Sequence, residues 1–82
     1  SANVPIRRVV EIALAEGAST VVLAHNHPSG IALPSPEDYA TTRRLAGALN
    51  AVDVILADHI VVADDDYTSM ALSGCRFDDC VI

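Results

Sequence analysis

His25 and His27, with Asp38 eleven residues further on, are the side chains of this 82-residue sequence best suited by type and spacing to hold a metal ion. Side chains alternate along an extended strand, so Val21, Leu23, His25 and His27 share one face and Asn26 points the other way. The two histidine α-carbons then lie roughly 6.5–7 Å apart, and both rings reach one zinc ion at about 2.0–2.1 Å. Asp38 begins the inward stripe of the helix that follows, because stepping back seven residues from Leu45 lands on it. Two neutral nitrogens and one carboxylate cancel half of a dication's charge and leave a fourth tetrahedral position for water, the pattern of a catalytic site. Water held there ionises near neutral pH and the ion polarises a carbonyl, so hydrolysis is the expected reaction class. Ser35 has two readings: its hydroxyl is suited to donate to the oxygen that gains charge when an amide carbonyl is attacked, and a serine followed by proline and acids is also a good helix cap. Asp38 likewise reads as the reciprocal member of a short capping box or as an acid that suits the helix dipole.

The elements that must position these residues are legible in outline. Apolar residues Ile6, Val9, Val10, Ala13 and Leu14 recur at helical spacing between positions 5 and 16, with Arg7, Arg8, Glu11 and Glu16 on other faces. Gly17 stands where a left-handed C-terminal cap is needed, and residues 20–24 read as a β-branched strand buried on both faces. Asn, Pro, Ser and Gly break both periodicities over residues 26–36, so the strand ends in an ordered loop. Ser35-Pro36-Glu37-Asp38 is a strong helix start, with serine at the N-cap and proline at the first helical position. That second helix runs to about Asn50, with Leu45, Ala48, Leu49 and Val52 inward. Residues 54–57 and 60–63 are strand material around Asp58-His59, and residues 64–66 form a turn before a hairpin partner at 67–70. His59 beside Asp58 has two readings, an oriented imidazole or a merely satisfied one, and the structural role is favoured.

Composition narrows the function classes. A chain this short has one core at most, so the expectation is a single domain over residues 1–82. Eleven acids against five bases give a net charge of −6, which repels a polyanion and disfavours direct nucleic-acid binding. No apolar stretch approaches the roughly 20 residues of a membrane helix, and no secretory signal is visible, so a cytoplasmic protein is expected. Cys75 and Cys80 are the only thiols and read as ordinary reduced cysteines, a disulfide or a cysteine metal site being the lesser alternatives.

His25-Asn26-His27-Pro28, then Ser35 and Asp38, resembles the JAMM (JAB1/MPN+) metalloprotease motif H-x-H-x7-S-x-x-D. It is not the signature of an HNH nuclease, whose named residues are dispersed along a ββα unit. More narrowly, His25-Asn26-His27-Pro28-Ser29-Gly30 with Pro34-Ser35, Asp38, Thr42-Arg43-Arg44-Leu45 and Asp58-His59-Ile60 resembles the RadC family, long labelled DNA repair proteins, from about Pro5 to Ser69. The resemblance implies a three-layer α/β/α sandwich around a mixed sheet, of the cytidine-deaminase-like type. It implies zinc held by His25, His27 and Asp38, and Ser35 assisting catalysis on a peptide or protein substrate through a zinc-activated water. The family motif begins with a general-base glutamate on a strand upstream of the first helix. This sequence starts almost at that helix, and Glu11, Glu16 and Glu37 are poor substitutes, so a truncated and catalytically incomplete domain is expected. The apolar surface left by that strand is one a second copy could cover, giving a homodimer. Where the family commonly carries glycine this sequence has Ala63-Asp64, which leaves the hairpin turn type open. The rival reading is a noncatalytic interaction module of a protein associated with DNA repair or recombination.

Overall fold

In a computed structural model the described residues, 5–28 and 30–74, form α1 (Ile6–Ala15), β1 (Thr20–Asn26), α2 (Pro36–Asn50), β2 (Ile55–Ala63) and β3 (Asp66–Ser69). Cys75 and Cys80 lie outside the described residues. β1 pairs parallel with β2, and β2 pairs antiparallel with β3, so the sheet is mixed with β2 central. The α/β class expected from the sequence is the class found.

Local chemistry sets the ends of both helices. Gly17 takes φ +64, Ala18 N–H reaches Ala13 O and Gly17 N–H reaches Leu14 O, the paired bonds of a Schellman stop. α2 starts with Ser35 Oγ accepting from Asp38 N–H and the Asp38 carboxylate accepting from Ser35 N–H, a complete capping box with Pro36 beside it. α2 ends in the same Schellman geometry, with Val54 N–H on Leu49 O and Asp53 N–H on Asn50 O. Here the left-handed position, φ +63, is held by Asp53 rather than glycine.

The core lies between the helices and one face of the sheet. Ala13 of α1, Leu45 and Leu49 of α2, Val54 and Leu56 form its buried cluster, with Val9, Val10, Val21 and Leu23 against it. Burying a leucine such as Leu45 contributes about 1.5–3 kcal/mol. The other face of the sheet is open: Val22 is 57% and Ile55 64% exposed, so β1 is not buried on both faces as its composition suggests. The described residues thus supply helices over one face, and the expected third layer is not among them.

Two departures matter for the site. Asp58-His59 does not separate two strands but lies inside the continuous β2. The hairpin turn is also shorter than expected, two residues, because Asp66 already pairs with Ala63. Asp64 takes φ +50 in that turn, a backbone state that glycine adopts more readily.

Candidate metal centre

β1 carries both histidines to one spot because its ladder does not stop at Asn26. His27 N–H donates to Val62 O at 2.8 Å, so strand alternation continues through His27 and the two rings lie side by side, tilted, with centroids 4.7 Å apart. The loop then closes tightly, with Gly30 N–H on His27 O and Thr68 Oγ1 donating to the Ala32 carbonyl. Gly30 sits at φ +82, where a Cβ would come within 2.9 Å of Asp64 Oδ2, so no larger residue fits without strain. The chain re-enters the site at the first turn of α2, which brings Asp38 between the two imidazoles.

Asp38 is 1% exposed. Its Oδ2 lies 3.0 Å from His27 Nε2 and its Oδ1 3.5 Å from His25 Nε2. His25 Nε2 and Asp38 Oδ1 are both buried with no hydrogen-bond partner. An unmade bond at such atoms costs about 1–3 kcal/mol each, a cost that needs an explanation. Ligand atoms of a tetrahedral zinc site stand about 3.3 Å apart, as follows from its bond lengths, and the three residues' ligand atoms fall within 4.8 Å of one another. His27 Nδ1 lies 3.1 Å from Ile31 O and its Nε2 3.0 Å from Asp38 Oδ2. Both oxygens only accept, so a neutral ring donates to just one of them, and the tautomer with the proton on Nδ1 turns an Nε2 lone pair toward Asp38, as a metal ligand must. The site therefore gathers electron pairs where a cation would sit, and a divalent metal fits this donor set.

The electrostatics agree. Burial opposes ionisation of Asp38, but hydrogen bonding by the backbone and side chain of Ser35, helped by His25 and His27, outweighs it and holds the carboxyl below its ordinary range. Burial lowers the His25 pKa, partly countered by Asp38, which favours the neutral ring that a metal needs.

The structure brings together all three residues that the spacing singled out as ligands, and it places Ser35 at the N-cap beside them. Both readings of Ser35 survive: its Oγ accepts from Asp38 N–H through a lone pair, and a hydroxyl keeps one proton to donate. Among the described residues no glutamate joins the cluster; Glu11 faces Arg7 and Arg8 at 3.8 and 3.9 Å.

Sequence reasoning named His59 but favoured a structural role for it, and it noted Thr42 only within the resembling motif. A bulge explains the first: Val21 pairs with Leu56 but Val22 with Asp58, so Ala57 is extra and every later residue of β2 changes face. His59 thereby turns inward, fully buried, with its ring 4.8 Å from that of His25. Burial, reinforced by the neighbouring His25 ring, pushes the His59 pKa down to about 4, with Asp38 and Asp58 opposing. Asp58 does not orient the ring: it accepts from the backbone of His59, from Ser69 Oγ and from Ala71 N–H, tying β2 to the end of β3. Burial opposes its ionisation, and these bonds together overcome that and lower its pKa. No sequence signal marked the shift, because residues 60–63 are apolar at every position and the inward phase of Val61 and Ala63, out of step with Leu56, appears only in the paired strand. Thr42, one turn after Asp38 on the same stripe, was legible from the spacing alone.

A His-x-His strand end facing an aspartate in the first turn of the next helix, over a mixed sheet, defines a domain of the JAB/MPN type, a class that is generally metal-dependent. Residues 1–75 match the RadC-like JAB domain, and the chain belongs to that family. It is 52% identical over 73 residues to a "UPF0758 protein" of Cellvibrio japonicus, covering 89% of this chain and 33% of the relative. It is 53% identical over 74 residues to a "UPF0758 protein" of Saccharophagus degradans, covering 90% of this chain and 33% of the relative. The chain thus spans about a third of the length of these curated relatives. No helix among the described residues is long and apolar enough to cross a membrane.

Proposed function

We propose that this RadC-type domain is a zinc hydrolase module that cleaves peptide or isopeptide bonds. The observation that carries the reading is the convergence of His25 Nε2, His27 Nε2 and the Asp38 carboxylate, with two buried atoms left unpartnered between them. A soft-to-borderline cation suits two imidazoles and one carboxylate, and zinc is the usual choice for that set. When bound, zinc supplies an acidified water and polarises a carbonyl oxygen.

The chain's own residues do the rest. The His25 and His27 side chains are 15% and 16% exposed while that of Asp38 is 1% exposed, so the histidine side of the cluster lies nearest to solvent and substrate approaches from there. Asp38 is fixed by its bond to Ser35 N–H, and His27 by its bond to the Ile31 carbonyl, so neither must reorganise on loading. Ser35, at the positive end of α2, donates its hydroxyl to the oxygen that gains charge as an amide carbon becomes tetrahedral.

The test uses the longer protein that contains this domain, loaded with zinc and offered peptide and isopeptide-linked substrates. Hydrolysis is expected, with turnover lost in His27→Ala together with the metal and lost in Ser35→Ala with the metal retained. Removing a single oxyanion donor of this kind lowers turnover by about 10²–10³-fold. Full activity in His27→Ala would refute the reading.

A further inference from the structure

Three short contacts link one candidate ligand to the backbone of another. His25 Nδ1 lies 2.7 Å from His59 Nε2, His59 Nδ1 lies 2.5 Å from Thr42 Oγ1, and Thr42 Oγ1 lies 2.6 Å from the Asp38 carbonyl oxygen. Pairs of polar atoms at these distances need a proton between them. A backbone carbonyl can only accept, so the single hydroxyl proton of Thr42 lies on the Asp38 oxygen. Thr42 Oγ1 then has only lone pairs to offer, so His59 presents an Nδ1–H to it. His59 is fully buried, and its neighbour Asp58 is spent on Ser69, Ala71 and backbone, so the ring stays neutral and its Nε2 is bare. His25 must therefore supply the proton of the remaining contact from Nδ1, which leaves the lone pair on Nε2, the atom facing Asp38.

The reverse order fails. With Thr42 donating to His59, two acceptor oxygens would stand 2.6 Å apart with nothing between them. Met70 Sδ, at 3.7 Å from the hydroxyl, is a weak acceptor and does not compete with a carbonyl.

We propose that Thr42 and His59 are positioning residues that lock His25 in the Nδ1–H tautomer, keeping its Nε2 ready for a cation, with the backbone carbonyl of Asp38 as the anchor of the chain. The two ligands are thereby coupled: the turn of α2 that presents the Asp38 carboxylate also sets which nitrogen of His25 is free. The alternative tautomer would place an N–H toward Asp38 Oδ1 and join the two by hydrogen bonding, so the relay keeps both atoms as acceptors. This inference rests on the metal-centre reading above, and it names residues that act through a ligand rather than on substrate.

The test reads tautomers directly. Long-range ¹H–¹⁵N correlation spectra of the chelator-treated chain at pH 8 are expected to show His25 and His59 both protonated at Nδ1. In Thr42→Val the proton order reverses, His25 becomes Nε2–H, and the zinc dissociation constant rises about 10–100-fold, the usual cost of losing such support. Thr42→Ser restores both the tautomer and the affinity. An Nε2–H on His25 in the unsubstituted chain overturns the proposal, as does a folded Thr42→Val chain with unchanged His25 tautomer and zinc affinity. The spectrum of the unsubstituted chain decides the matter if Thr42→Val does not fold. The two readings fail separately: zinc binding by a chain whose His25 is Nε2–H refutes the relay alone, and a chain that binds no zinc refutes the metal centre while its spectrum still decides the relay.

Discussion

Replacing Asp38 with asparagine is expected to stabilise the metal-free chain and abolish its response to zinc. The carboxylate is 1% exposed, has one oxygen satisfied by Ser35 N–H and the other unpartnered against His25 Nε2. An asparagine keeps an oxygen for the Ser35 bond and turns its amide toward His25 Nε2, so two orphaned acceptors become one hydrogen bond. Relief of those groups is worth about 1–3 kcal/mol, against about 0.3–1 kcal/mol lost when the charge leaves the N-terminus of α2. The net gain is about 1 kcal/mol, or about 4–8 °C in Tm for a domain of this size. Zinc at a hundred times its dissociation constant adds about 2.7 kcal/mol to the unsubstituted chain and nothing to Asp38→Asn. The order of stability therefore inverts between chelator and zinc, which differential scanning calorimetry at pH 8 reads directly. An Asp38→Asn chain that melts below the unsubstituted one in chelator, or that keeps the full zinc shift, would refute the reasoning.

Two further outcomes follow from other parts of the molecule. His59 has a folded pKa of about 4 against an ordinary 6.5, so between those values the unfolded chain binds the extra proton and the folded one does not. Stability of the metal-free chain then falls as pH drops from 6.5 to 4, by up to about 3 kcal/mol, and urea titrations should show His59→Gln losing most of that slope. The lowered pKa values of Asp38 and Asp58 act elsewhere: their contribution is present above the ordinary carboxylate range and is lost only at more acidic pH, as those groups protonate in the folded state. Asp53→Gly relieves a left-handed residue at the end of α2 at the expense of some chain entropy, and should raise stability by about 0.5 kcal/mol in thermal melts. An unchanged or lowered Tm would show that Asp53 is not strained.

What could be read before folding, and what could not, divides along the range of the interaction involved. The start of α2 at Ser35-Pro36 and the stop of α1 at Gly17 are local events decided by neighbouring residues, and both stand where expected. The shared face of His25 and His27 followed from period-two alternation, which held because a ladder bond to Val62 carried the strand one residue past its assigned end. The inward turn of His59 was hidden for the opposite reason: the extra residue at Ala57 shifts the alternation, and only pairing with β1 reveals it. The outer face of the sheet was also misjudged, because a β-branched run says that a strand is apolar but not which of its faces is covered. Thr42 needed no tertiary knowledge; it completes the stripe of Asp38, Leu45 and Leu49 but is a residue type more often read as filler.

The central claim is that two imidazoles and one carboxylate hold a single zinc ion, and X-ray absorption on the zinc-loaded chain, with metal content measured on the same sample, tests it most directly. One zinc per chain is expected, with only nitrogen and oxygen neighbours at about 2.0–2.1 Å, two of them from imidazoles, and the metal is lost in His27→Ala. Sulfur at about 2.3 Å, or metal content unchanged in His25→Ala, His27→Ala and Asp38→Asn alike, would contradict it.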